Sequence, residues 1–256
     1  MSEQEPLAGV LAIDKPASWT SFDVVAVARK VLRIRRVGHG GTLDPMATGV
    51  LPILVGTGTK FFDRLREAQK VYAAIVRFGT EMDTDDATGK ITHERRPPAR
   101  ADAEAALASF RGVIQQTPPA YAAVKVGGRP SYARARSGEA VELAAREVQV
   151  IRLDVTGWSG ENHLGLLVVC SSGTYIRSIA RDLGRELGSA AHLAGLRRLA
   201  VGALDVRDAT PIEALRSEGH DAALARVRPV SDELLALDPR YVNDPADRLV
   251  GAETSR

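Results

Sequence analysis

Residues 38–56 read GHGGTLDPMATGVLPILVG, and the reading of this stretch decides how the rest of the chain is understood. Up to Gly49 it is a glycine-rich loop, and Val50–Val55 is an apolar run of strand length. Asp44 and Pro45 admit two readings. Asp followed by Pro suits a helix N-cap with proline at the first helical position. The same pair on a glycine-flanked loop displays a carboxylate that a substrate can approach closely. The glycines match neither GxGxxG after a strand nor GxxxxGK[ST], so phosphate cradling is weakly supported.

Towards the N-terminus, the short apolar run Gly9–Ile13 is stopped by Asp14-Lys15-Pro16, which predicts a strand entering a turn. Thr20 and Asp23 stand at capping-box spacing. Val24, Val25, Val27, Val31 and Leu32 follow at near-helical spacing, predicting a helix over 21–32 with a basic end. Towards the C-terminus, Tyr72, Ala74, Val76 and Phe78 alternate along a predicted strand with one buried face. The aspartate-rich stretch Met82–Gly89 reads as a solvated turn, and the alanine-rich Ala101–Arg111 as a helix. Residues 148–156 and 164–170 are β-branched and apolar around a turn through Gly157–Asn162, the pattern of a hairpin. Thr174 is positioned to cap a helix with the apolar stripe Ile176, Ile179, Ala180, Leu183 and Leu187, ended by Gly188. Strands and helices succeed one another irregularly, which predicts an α+β fold rather than a doubly wound sheet. After Arg228 the pattern weakens into a short appendage or a frayed tail.

The 256 residues are 45% hydrophobic and 26% charged, with a net charge of only +2, so a nucleic-acid role must rest on where charge sits. Cys170 is the only cysteine, which excludes an internal disulfide and suits a reducing compartment. His39, His93, His163, His192 and His220 show no ligand spacing, so no metal centre is predicted. No GxSxG elbow occurs. The N-terminus lacks a signal-peptide pattern and no run approaches the roughly 20 apolar residues of a membrane span, so a cytoplasmic protein off the membrane is expected.

Basic residues gather in three places. These are Arg29–Arg36; KVGGRPSYARARSG (125–138) with Lys125, Arg129, Arg134, Arg136 and the tyrosines Tyr121 and Tyr132; and Arg197-Arg198. A charge run is usually a solvated face, yet these three allow a groove for a phosphate backbone. Arg177 near a helix start opposes the helix dipole, so an acid should compensate it. A surface pair with Asp182 or Glu186 would do so, as would a bidentate pair with a buried carboxylate. Tyr72 and Tyr175 read as core residues, or as rings stacking on a base at about 1–3 kcal/mol each.

Four blocks in order, over about residues 8–205, resemble the tRNA pseudouridine-55 synthases of the TruB family. They are LAIDKPASWTSFDVV (11–25), GHGGTLDPMATGVLPILVG (38–56), KVYAAIVRFGTEMDTDDATG (70–89) with QTPPAYAAVKVGGRPSYARARSG (116–138), and CSSGTYIRSIARDLGRELGSAAHLAGLRRLAVG (170–202). The resemblance implies a pseudouridine-synthase catalytic fold: a central, mostly antiparallel mixed sheet flanked by helices, with a cleft across the sheet. It implies a catalytic domain over 1–228 and a C-terminal segment over 229–256 too short for a complete PUA domain.

The activity implied is isomerisation of a T-loop uridine of tRNA, at position 55, with no cofactor. The N1–C1′ bond breaks and a C5–C1′ bond forms on a flipped-out base. Asp44 is implied as nucleophile, Tyr72 as a base-packing residue able to move a proton, and Arg177 as the partner that keeps Asp44 charged. Lys15, His39, Tyr175 and Leu196 are implied to support the site, the flipped loop and the base pocket. The partner is the T arm, with no obligatory protein partner. Ala122 stands where a serine is common in the PPxY block, so a hydroxyl contact there is absent. A guide-RNA-dependent synthase and a non-catalytic tRNA-folding protein are the alternatives.

Overall fold

The computed structural model describes residues 8–122, 125–126, 129–130, 134 and 143–250. The chain forms two compact units, one of residues 1–72 and 196–243, the other of residues 73–195 and 244–256.

In the first unit the strand Ala8–Lys15 lies antiparallel to Thr48–Gly56, from Ala8 opposite Gly56 to Lys15 opposite Gly49. Thr210–Pro211 adds to its other edge in parallel. Arg197 and Arg198 pair in parallel with Thr48 and Gly49. The helix Ser21–Leu32 has the predicted span and a complete capping box, with the Thr20 side chain on the Asp23 N–H and the Asp23 carboxylate on the Thr20 N–H. Its face of Val24, Val25, Ala28 and Leu32 packs with Leu11, Ile13, Leu51, Ile53, Ile212 and Leu215 into one core. Burial of each large aliphatic chain there contributes about 1.5–3 kcal/mol. The helix ends at Arg33, a left-handed cap at φ 53°, and Arg29, Lys30, Arg33, Arg35 and Arg36 all stay exposed.

The short strand Val37–His39 pairs with Val55, Leu54 and Ile53, and leaves the ladder where Pro52 has no N–H to offer. Gly40 then donates to the Pro52 carbonyl at 2.7 Å, which starts the loop of residues 40–47. Gly49, at the start of the strand that follows, has φ 100°, and a Cβ there would stand 2.2 Å from the Arg198 carbonyl oxygen.

In the second unit the sheet runs Lys70–Phe78 (from its fourth residue), His163–Cys170, Arg146–Ser159, Gly112–Gln116. The predicted hairpin is present and antiparallel, with two register shifts. Burial alternates along the strand as predicted: Ala74, Val76 and Phe78 are inside, Ile75 and Arg77 outside. Mixed α+β elements with mostly antiparallel pairing therefore stand as expected. The alanine-rich helix is shorter than read, ending at Ala106 and tightening into a 3-10 turn over Leu107–Phe110.

The helix Ile176–Glu186 begins without a side-chain cap. Thr174 does not cap it: its hydroxyl donates to the Ser171 carbonyl. This helix is buried well beyond its apolar stripe, taking Arg177, Ser178 and Arg181 inside with Ile176, Ile179, Ala180 and Leu183.

The C-terminal segment is packed to residue 250. In the first unit Leu234 and Tyr241 are buried, and the Tyr241 hydroxyl donates to Asp205 at 2.8 Å while Arg240 pairs with the same carboxylate. In the second, Val250 is buried and Arg152 donates to the Asp244 carbonyl at 2.7 Å. Among the described residues no helix is long and apolar enough to cross a membrane.

Gly49→Ala combines a disallowed φ with a clash against backbone, and should destabilise the protein by about 3 kcal/mol or more. Urea unfolding measures it; a loss below about 0.5 kcal/mol would contradict this account of the loop.

Candidate active site

Asp44 does not cap a helix. Its carbonyl accepts from the Ala47 N–H at 3.0 Å, so Asp44-Pro45-Met46-Ala47 is a β-turn with proline at the second position, followed directly by strand. The carboxylate is half-buried on a loop tip.

Three groups beneath the loop hold it there. Lys15, with no exposed surface, donates from Nζ to the carbonyls of Pro16 at 2.9 Å, Trp19 at 2.8 Å and Pro45 at 3.2 Å. Pro45 O also accepts from the Ser18 N–H at 2.8 Å. The buried Ser21 hydroxyl donates to Leu43 O and accepts from Leu43 N–H at 3.0 Å, tying the helix start to the residue before Asp44. Arg198 donates to Val50 O at 2.7 Å, Gly41 O at 3.0 Å and Thr42 O at 3.3 Å, so it grips both flanks of the loop. It also hydrogen-bonds the buried Tyr72 side chain.

The structure thus brings Lys15, Asp44 and Tyr72 together, with His39 at the end of the strand that leads into the Asp44 loop. His39 meets the exposed Phe22 edge-on at 5.3 Å, and burial and then the Arg198 charge push its imidazole below the ordinary histidine range. Leu196 is half-buried in this unit two residues before Arg198.

Arg177 and Tyr175 belong to the second unit. Arg177 is 4% exposed, which rules out a surface pair with Asp182 or Glu186. It donates to Thr84 O and Tyr121 O, both at 3.0 Å, and its Nε stands 3.8 Å from the Asp86 carboxylate. Asp182 pairs with Arg181, and Glu186 accepts from Ser109. The aspartate-rich stretch is consequently not a solvated turn. Asp85 and Asp86 are buried, Asp85 bonds Arg181 at 2.8 Å, and the preceding Glu81 bonds Arg185 at 2.6 Å. Desolvation pushes the Asp85 carboxyl up to about 6 against the pull of Arg181. Gln116 clasps the backbone of Tyr175, accepting from its N–H at 2.7 Å and donating to its carbonyl at 3.1 Å, and Arg146 covers the Tyr175 ring at 4.8 Å.

Of the three basic clusters, the first is exposed as read. In the second, Tyr132 and Arg136 lie outside the described residues. The third is not a solvated face: Arg198 is 1% exposed, and Arg197 forms a bidentate pair with Asp14 at 2.8 and 3.0 Å.

Residues 29–176 match the family model described as TruB family pseudouridylate synthase, N-terminal domain. The chain belongs to the TruB family of pseudouridylate synthases. It is 50% identical to tRNA pseudouridine synthase B of Thermobifida fusca over 82% of this chain and 75% of that protein. Identity to the protein of that name from Corynebacterium aurimucosum is 45%, over 90% and 81%. Among solved structures, a chain of the Cbf5-Nop10-Gar1 complex superposes with a TM-score of 0.65 at 26% identity, over 86% of this chain but only 60% of that one.

For a TruB-family site, the electrostatics around Asp44 are asymmetric in a useful way. Burial pushes the Lys15 ammonium down to about 8, with the Asp44 charge pulling it back up and Arg198 pushing it further down. At neutral pH Lys15 is still a cation beside the carboxylate. Between pH 8 and its ordinary value of 10.5 the folded protein has released this proton while the unfolded chain keeps it. The unfolded state then binds more protons, so Lys15 makes stability rise with pH across that window.

NMR of lysine-labelled protein should show Lys15 titrating near 8. A midpoint at the ordinary lysine value would show that the ammonium is not desolvated.

Proposed function

We propose that this protein converts the uridine at position 55 in the T loop of tRNA to pseudouridine, with Asp44 as nucleophile. Tyr72 packs on the flipped-out base and moves a proton, and Arg177 is assigned as the cation that serves the nucleophile. Lys15, His39, Tyr175 and Leu196 support the site and the substrate. The reaction breaks N1–C1′, joins C1′ to C5 of the same uracil, releases the C5 proton to solvent and takes up a proton at N1, so that product and substrate are isomers. It needs no redox partner and no group donor. Taking the base out of its stack costs a few kcal/mol, offset by stacking and hydrogen bonds in the pocket. A carboxylate acting covalently then divides one difficult step into easier ones.

The observation that carries this reading is the placement of Asp44. Its carboxylate stands on the tip of a β-turn whose backbone is pinned from below by Lys15, Ser21 and Arg198. Relatives at 45–50% identity named for tRNA, against 26% for the chain of the Cbf5-containing complex, favour an unguided tRNA substrate. The setting proposed is the cytoplasm, with the T arm as partner and no obligatory protein partner. The exposed cluster Arg29, Lys30, Arg33, Arg35 and Arg36 is proposed to meet the phosphate backbone.

Tritium release from T-arm RNA carrying 5-tritiated uridine tests the assignment. Asp44→Asn should abolish turnover while RNA affinity stays within about threefold, because the transition state alone loses its partner. Turnover near that of the parent would remove Asp44 from the chemistry. RNA affinity should also fall steeply between 50 and 200 mM salt, by about tenfold or more, as counterion release requires. Affinity indifferent to salt would take the basic cluster off the RNA.

A further inference from the structure

Among the described residues Arg198 is the largest side chain that is almost wholly buried, at 1% exposure, and it is a cation. Removing a charge from water costs several kcal/mol even after the protein relaxes, so a buried guanidinium needs every N–H satisfied. Here the planar fork spans a loop, a strand and one phenol. Nε meets Val50 on the strand after the Asp44 turn, the two Nη atoms meet Gly41 and Thr42 before it, and the Tyr72 side chain is a fourth partner. Asp44 lies close enough for its charge to act on Arg198.

Neighbouring groups show the same focus. The Arg198 charge also acts on Lys15 and on His39 and opposes protonation of both. Arg198 is therefore electrostatically and geometrically at the centre of the cluster, yet the surface offers it nothing to bind. Its backbone is committed too: Gly49 approaches it so closely that no side chain fits between them. Lysine could carry the charge, but it could not span Val50, Gly41, Thr42 and Tyr72 in one plane.

We propose that Arg198 is a positioning residue for pseudouridine formation: it locks the Asp44 turn and the Tyr72 phenol into one geometry and keeps a positive charge beneath the carboxylate. It touches no substrate and acts through Asp44 and Tyr72. The proposal rests on Asp44 being the nucleophile, as argued above. Its expected signature is a loss in kcat rather than in KM, because the support matters when charge moves between enzyme and base, not when RNA docks.

The test uses the full chain with T-arm RNA and measures single-turnover rate, RNA affinity and thermal unfolding together. Arg198→Met should slow the chemical step by about a hundredfold, the scale of an ångström of misplacement, with affinity within about threefold. Arg198→Lys should recover part of the rate, remaining about tenfold slow, since it restores charge without the fork. In a Tyr72→Phe background the further cost of Arg198→Met should shrink to about tenfold or less, because part of its action runs through the phenol.

A chemical step within twofold of the parent in Arg198→Lys overturns the proposal. So does a loss confined to RNA affinity, or a loss that multiplies fully with Tyr72→Phe. If Arg198→Met fails to fold, the lysine variant and its cycle with Tyr72→Phe decide alone. Asp44→Asn run alongside separates the two claims. Its survival as an active enzyme would defeat the assignment of the nucleophile, whereas an inert Asp44→Asn with an unaffected Arg198→Lys would defeat only this inference.

Discussion

The first unit depends on how an irregular loop is held in place without a helix or a ladder of its own. The turn of Asp44 to Ala47 has one internal hydrogen bond. Its remaining carbonyls would be exposed to competing water or left unpaired if buried, at a cost of about 1–3 kcal/mol each. Lys15 takes the Pro45 carbonyl of the turn, while Ser21 and Arg198 take those of Leu43, Gly41, Thr42 and Val50 on its flanks, and the three donors come from a strand end, a helix start and a strand far along the chain. Because two of these donors are cations, the same bonds that hold the backbone also place positive charge near the carboxylate. Structure and electrostatics are served by one set of contacts.

A similar economy appears in the second unit. The helix Ile176–Glu186 contributes Arg177, Arg181 and Arg185 from successive turns, and each reaches the segment Glu81–Asp86. Arginine suits these positions because its fork can take a carboxylate and a carbonyl at once, as Arg181 does with Asp85 and Thr117. The result fixes the start of the helix, where Tyr175 is also clasped through its backbone by Gln116. Buried ion pairs of this kind give specificity of arrangement more reliably than net stability.

Much of this was legible in the sequence where the signal is local. The capping box and apolar spacing placed the helix Ser21–Leu32 at its observed ends, and alternation identified the buried face of Lys70–Phe78. The Asp-Pro pair was ambiguous because the same two residues satisfy a helix start and the opening of a β-turn. Tertiary donors decided between them. The aspartates after Met82 looked solvated because their partners stand about a hundred residues away, 96 positions for Asp85 with Arg181. No local pattern carries that information. Arg197-Arg198 did carry a usable signal. In a strand, adjacent side chains point to opposite faces, so one arginine of an apolar strand had to point inward. Gln116 gave no signal, since a side chain that imitates a strand partner looks like any other glutamine.

The central claim is that this chain makes pseudouridine in the T loop of tRNA through a carboxylate held on a pinned turn. The most direct measurement maps pseudouridine chemically in tRNA from cells lacking the protein, complemented either with the parent or with Asp44→Asn. The account predicts loss of pseudouridine at position 55 alone, restored by the parent and not by the variant. An unchanged modification at that position in the deleted cells, or restoration by the variant, would contradict it.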